Sequence, residues 1–351
     1  MSETNLASYP PLFRTIMDEP TGRVCPEDDR ADTEDRSMPE PDPLPEIDAE
    51  FLVPQKLGEA CREWGIFRLV NHGIPKQLLR DVEEHAERMF DMQFESKKAL
   101  FGGGPLSYFW GTPALTPSGV ALPRGHQNID WVEGLNVPLS QLSNFHTQDP
   151  FVSSFRKLME EWGRHLTRLG GTLFEAMLNS LKLEAQVHRH HHLHYQKNYI
   201  DESTGIVRVY RYPRCLAAEA ADRVKGLDAH TDSSVLSILY QNQVAGLQIL
   251  KDDKWLQVNS TADSLIVNLG DMMQAMSDDE YRSVRHRVKL NLRKERISIC
   301  YFVFPKEQCL IRSSSYKPFT YKDFRDQVQN DVATLGTKVG LPRFKLPQPP
   351  L

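Results

Sequence analysis

The chain has 351 residues, 40% of them hydrophobic and 25% charged, ordinary values for a globular protein. A formal net charge of -5 leaves no basic surface, which argues against nucleic acid or an anionic membrane as the main partner. No apolar run approaches the ~20 residues that span a bilayer, and Met1 to Pro10 has neither the basic flank nor the apolar stretch of a secretory signal.

Five scattered cysteines without a CxxC pair fit reduced thiols, so a cytoplasmic protein is expected. Residues 1–45 read as a flexible acidic arm. The stretch from about Pro20 to Pro45 is rich in Asp, Glu and Pro and too poor in apolar residues to order itself. Residues 46–185 read as a helical region. The apolar spacing of Leu57, Ala60, Cys61 and Trp64 predicts a helix over Val53 to Trp64. IFRLVNHG (Ile66 to Gly73) reads as a buried strand, and Pro75 opens a helix expected to run to about Leu100. Phe151 to Leu183 reads as a long amphipathic helix or helix pair, with Gly170-Gly171 as the expected break.

Residues 186–345 change character. Short runs such as IVRVYRY, SVLSILY, GLQIL, SLIVNL and RISICYFVF are separated by turn-forming residues, which predicts an antiparallel barrel or jelly roll. The expected fold is therefore α+β with a mainly β core, the helices packing against one side of the barrel, and a C-terminal helix.

Within that core, His230 and Asp232 are two residues apart, so on an extended chain they share a face and can bind one ion. His286, just before the last core strand, offers a third ligand. Two histidines and a carboxylate occupy one face of an octahedron and leave positions open, as non-haem Fe(II) sites require. Ten residues further on, Arg296 and Ser298 again share a strand face inside the apolar run RISICYFVF. A guanidinium beside a hydroxyl suits a distant carboxylate. An acid chelating the metal with its far carboxylate on Arg296 is what 2-oxoglutarate would need.

WGIFRLVNHGIP, YRYPRC, HTD, SVRHRV and RIS, in this order from about Leu44 to Phe344, resemble plant 2-oxoglutarate/Fe(II)-dependent dioxygenases, and within them the gibberellin-oxidase-like branch. The resemblance implies a distorted double-stranded β-helix (jelly roll) framed by N-terminal and central helices. It implies iron on His230, Asp232 and His286, and 2-oxoglutarate on Arg296, Ser298 and Tyr212, with O2 as second cosubstrate and ascorbate as reductant. The implied reaction is hydroxylation or desaturation of a plant small molecule, a gibberellin or other terpenoid, by a monomer. Alternatives are an alkaloid, phenolic or auxin substrate, or a non-catalytic small-molecule binder on the same barrel. One position departs from the pattern: the family commonly has Asn where this chain has Tyr210, which can shape the pocket instead.

Phe302, on the strand face of Arg296, reads as pocket lining. Tyr108 and Trp110 are candidate caps over the site. A carboxylated substrate would want a further cation, for which Arg124 and Lys97 are the candidates in the first half. The histidine-rich run from His188 to His194 reads as a solvated loop, and His72 as a residue satisfying local backbone groups.

Overall fold

The structure, a computed structural model, describes residues 5–18, 42–111, 130–188, 200, 205–214, 225–291 and 293–347. The first half contributes helices α1 (Pro11–Asp18), α2 (Pro54–Glu63), α3 (Lys76–Asp91), α4 (Phe94–Phe101), α5 (Leu139–Leu142) and α6 (Pro150–His188). It also contributes strands β1 (Glu46–Asp48), β2 (Ile66–Val70), β3 (Ser107–Trp110) and β4 (Glu133–Pro138). The second half begins with β5 (Ile206–Tyr212), β6 (Leu227–His230), β7 (Leu236–Gln241), β8 (Leu247–Lys251), β9 (Lys254–Gln257) and β10 (Leu265–Leu269). It closes with α7 (Asp271–Met276), β11 (His286–Val288), β12 (Arg296–Val303), the short pair β13 (Leu310–Ile311) and β14 (Phe319–Thr320), and α8 (Tyr321–Leu335).

Among the described residues the strands form a major sheet in the order β1-β2-β10-β7-β12-β5-β4-β3 and a minor sheet in the order β6-β11-β8-β9. The two sheets face each other as a jelly roll. Alternation along β12 shows how the sequence builds it. Ile297, Ile299, Tyr301 and Val303 join the core shared with α2, α3 and α6. Arg296, Ser298, Cys300 and Phe302 turn to the opposite face, the barrel interior. Among the described residues, no helix is long and apolar enough to cross a membrane.

Three expectations change. The first concerns the arm, because order begins well before Ile47. Tyr9 and Phe13 are buried, Phe13 stacks on Trp131 with ring centroids 4.1 Å apart, and α1 is a helix. Leu6, Tyr9, Leu12 and Phe13 recur at helical spacing ahead of the acidic stretch, enough apolar surface to dock a short helix. Residues 19–41, the acidic stretch itself, lie outside those described, as do most of the histidine-rich run and Arg124.

Second, α6 runs unbroken for 39 residues through Gly170-Gly171. Gly170 sits where a Cβ would come 3.3 Å from Val303 Cγ2, so the glycine serves close packing on β12 rather than a break. Third, the helix expected to continue to Leu100 stops at Asp91, because Met92 and Gln93 are extended, and restarts as α4. The restart aims Lys97 at Glu133 behind the major sheet, 2.6 Å away.

The division at residue 185 does not separate two cores, since β1 to β4 belong to the same sheet as β5, β7, β10 and β12.

Candidate metal centre

His230 ends β6 and His286 begins β11, and the antiparallel register sets them directly opposite each other. Their ring centroids are 4.3 Å apart. His230 Nδ1 lies 2.7 Å from the carbonyl of Asp228, and His286 Nδ1 lies 3.1 Å from that of Val284. A carbonyl only accepts, so each Nδ1 carries the proton and each Nε2 presents a lone pair. Burial, and then the neighbouring His286, push His230 down to about 4, so it is a neutral donor at ordinary pH.

Asp232 lies two residues beyond the end of β6, in the turn before β7, rather than on the strand itself. Its carboxylate crosses to the major sheet. Oδ2 accepts from Ser237 Oγ at 2.9 Å and from Asn268 Nδ2 at 2.8 Å, residues that face one another across β7 and β10. Oδ1 is left towards the rings, 3.7 Å from both Nε2 atoms. Burial opposes ionisation of Asp232, but His286, His230 and the two donors outweigh it and hold the carboxyl below the usual carboxylate range.

One donor atom from each of the three residues lies within 4.8 Å of the others, beyond hydrogen-bonding contact. That leaves room between them for one ion. Two imidazole nitrogens and a single carboxylate suit a divalent transition metal, with the side towards the cavity open to other ligands.

The loop that carries the triad is fixed from two sides. Asp271 N–H donates to the carbonyl of Asp232 at 2.8 Å. Lys338, from the segment after α8, donates to the carbonyl of Thr231 at 2.8 Å and pairs with Asp271 at 2.7 Å. The left-handed Gly336 and Gly340 bracket Lys338 and turn the chain back to reach this loop.

Arg296, Ser298 and Tyr212 come together at the far end of the same cavity. Arg296 pairs in register with Tyr212, and its guanidinium lies 5.0 Å over the tyrosine ring. Nη1 donates to Ser298 Oγ at 3.2 Å and Nη2 to Gln241 Oε1 at 2.6 Å. Among the described residues no carboxylate pairs with Arg296, although it is only 2% exposed. Its Nε is buried without a partner. A buried, unneutralised guanidinium with a spare N–H is a receptor for an anionic oxygen. Gly246 makes room for it, since a Cβ there would stand 3.0 Å from Arg296 Cδ.

Tyr210 and Phe302 also line the cavity. Burial pushes the Tyr210 phenol up to about 12, so it stays neutral. Phe109 meets its ring edge-on, centroids 5.9 Å apart, over Gly134, where a side chain would collide with Phe109. Tyr108 and Trp110 do not cap the site. They pair with Leu135 and Glu133, on the helix-side face of the sheet. There Tyr108 donates to Glu133 at 2.5 Å and Trp110 packs on Phe13. Period-two alternation sets Phe109, not its neighbours, on the cavity side. Lys97 lies on that outer face as well, buried with Glu133 and Arg211, and burial draws its amine down to about 8. His72 behaves as expected, its Nδ1 accepting from the Ile74 N–H at 3.1 Å.

Sequence reading missed Ser237, Asn268, Gln241, Lys338 and Arg208. Arg208 shares the strand face of Tyr210. Its guanidinium lies 5.1 Å over the Phe302 ring and donates to Asn136 Oδ1 at 3.2 Å. It has no carboxylate partner among the described residues. For the four strand residues the available signal was a polar or charged residue within an apolar strand, as in SILYQ, LIVNL and VRVYRY; Lys338, in the segment after α8, carried no such signal.

The chain matches the model of the 2OG-Fe(II) oxygenase superfamily over residues 202–305. It also matches that of the non-haem dioxygenase in morphine synthesis N-terminal domain over residues 43–148. It is 34% identical to gibberellin 2-beta-dioxygenase 6 of Oryza sativa subsp. japonica over 317 residues, covering 86% of this chain and 84% of that protein. It is 35% identical to gibberellin 2-beta-dioxygenase 8 of Arabidopsis thaliana, covering 86% of each. Among solved structures, JOX2 in complex with 2OG, Fe and JA superposes with a TM-score of 0.66 at 26% identity, covering 87% of this chain and 89% of that one. Together with a paired His-Asp-His cluster and a buried arginine at one cavity, these likenesses establish that the chain belongs to the 2OG-Fe(II) oxygenase superfamily.

Proposed function

We propose that this Fe(II)/2-oxoglutarate-dependent dioxygenase oxidises a carboxylated plant small molecule of the gibberellin kind, by hydroxylation or desaturation. His230, Asp232 and His286 would hold the iron, and Arg296, Ser298 and Tyr212 the far carboxylate of 2-oxoglutarate. Iron, 2-oxoglutarate and O2 together supply the oxidant that removes hydrogen from a substrate C–H bond, the hard part of the chemistry. The protein's part is to bind, orient and exclude water. Tyr210 and Phe302 give the cavity an apolar wall against which a hydrocarbon skeleton can lie.

The observation that carries the substrate class is Arg208. Half-buried and unneutralised among the described residues, it flanks the Tyr210 and Phe302 wall and offers a fork to a substrate carboxylate. The names of the gibberellin 2-beta-dioxygenases, the relatives of 34% and 35% identity, support the same class. We place the enzyme in the cytoplasm as a monomer. The described cysteines, Cys61, Cys300 and Cys309, are unpaired thiols, which suits a reducing compartment.

The test is substrate-stimulated turnover of 2-oxoglutarate with Fe(II), O2 and ascorbate, comparing gibberellins with auxins, phenolics and alkaloids. Gibberellins should stimulate turnover most. Arg208→Gln should raise KM for the carboxylated substrate roughly tenfold, the loss of a charged hydrogen bond of about 1.5 kcal/mol, while leaving KM for 2-oxoglutarate within about twofold. A better response to an uncharged phenolic, or an unchanged substrate KM in the variant, would overturn this substrate assignment.

A further inference from the structure

Gln241 ends β7 directly opposite Ser298, on the face that carries the cosubstrate residues. Its amide is 7% exposed, and its Oε1 accepts from Arg296 Nη2 at 2.6 Å. A guanidinium has no acceptor, so this contact fixes the amide orientation: the oxygen faces Arg296 and the NH2 faces away. That NH2 is a buried donor without a partner, and so, on the neighbouring side chain, is Arg296 Nε. The unsatisfied Nε of Arg296, on a residue more than nine-tenths buried that lines the cavity, marks a place that an incoming oxygen lone pair completes.

The kind of partner matters as much as its presence. The other buried arginines among the described residues are held by carboxylates: Arg211 by Glu133, and Arg68 by Asp42. A carboxylate at position 241 would hold the Arg296 fork equally well but would cancel its charge. The neutral amide orients the fork and leaves the charge for a ligand.

We propose that Gln241 is a positioning residue of the cosubstrate pocket: it aims the Arg296 guanidinium without neutralising it, so that the charge and the spare Nε–H stay available for a carboxylate. The proposal rests on the reading that Arg296 receives the far carboxylate of 2-oxoglutarate.

The experiment is calorimetric titration of 2-oxoglutarate into the Mn(II)-bound full-length protein, with Mn(II) affinity in the absence of 2-oxoglutarate as the control. Three variants are compared: Gln241→Glu, Gln241→Met and Arg296→Leu. Gln241→Glu, nearly the same shape, should weaken 2-oxoglutarate binding at least tenfold, because the new carboxylate competes for the guanidinium. Gln241→Met should weaken it less, by about threefold, since orientation is lost but the charge stays available. Mn(II) affinity should stay within twofold in both. A merely structural role predicts the reverse order, with the isosteric Gln241→Glu harmless and Gln241→Met the worse. 2-Oxoglutarate binding to Gln241→Glu within twofold of the parent, or weaker binding to Gln241→Met than to Gln241→Glu, overturns the proposal while leaving Arg296 in place. Unchanged binding in Arg296→Leu overturns the reading of Arg296 itself, and the proposal with it.

Discussion

At the scale of single residues, the candidate metal centre depends on how Asp232 is shared. One carboxylate oxygen is tied by Ser237 and Asn268, so the other is oriented towards the two imidazoles without searching rotamers. Asn268→Ala should therefore lower Mn(II) affinity about 10–100-fold, the range seen when a partner that orients a metal ligand is removed. Its melting temperature in chelator should change much less. Equal Mn(II) affinity in parent and variant would mean that Asp232 needs no such support. His230 and Asp232 were readable as candidates because they stand two residues apart and Arg296-Ser298 repeats the spacing, and His286 because it precedes the last core strand. Their supporting donors were not: Ser237 is near in sequence but on the next strand, Asn268 is 36 residues away, and only the pairing of β7 with β10 brings both to Asp232. Tyr108 and Trp110 were misplaced for a related reason. A strand's alternation divides its residues into two faces, but only the register with β4 and β5 says which face is inward.

At the scale of elements, α1 and the residues just before it tie the outer face of the barrel to the strand ends that carry Tyr212 and Arg296. Tyr9 donates to Glu295, next to Arg296, and Arg211, next to Tyr212, reaches the Ser8 carbonyl at 3.3 Å and lies 4.2 Å over the Tyr9 ring. Phe13 is fully buried between Trp110 and Trp131. Phe13→Ala should cost about 3 kcal/mol in urea unfolding, as other buried Phe-to-Ala changes do. Thr15→Ala, on the exposed side of the same helix, should cost under about 1 kcal/mol. A Phe13 variant as stable as the Thr15 variant would show that the helix is not docked in solution. This helix is too short for periodicity to stand out, and the acidic stretch after it hid it from a compositional reading. The long helices and the strand-rich second half were legible because each repeats its pattern over several turns or several strands. The unbroken passage of α6 through two glycines was not, since packing on β12 outweighs their low helix propensity.

At the scale of the whole molecule, the candidate centre joins two sheets that otherwise meet through apolar contacts. Both imidazoles belong to the minor sheet, while Asp232 is held by donors from the major sheet. An ion bound by all three would link the sheets where the barrel opens. The major sheet has support of its own: its outer face is buried on α2, α3 and α6, and it continues into β1 to β4. Among the described residues the minor sheet has four short strands, and β9 at its edge is half-exposed. Removing the metal should therefore loosen the minor sheet selectively, because local opening follows the local density of buried contacts. Binding to the folded state should add stability that grows with the logarithm of free metal concentration. Hydrogen exchange with Mn(II) and then with excess chelator tests both points. Amides of β6, β8 and β11 should exchange at least tenfold faster in chelator, and those of β10 and β12 should change little. Equal protection of β6 and β11 with and without metal would show that the sheets are locked by packing alone, and that the triad is assembled before any ion arrives.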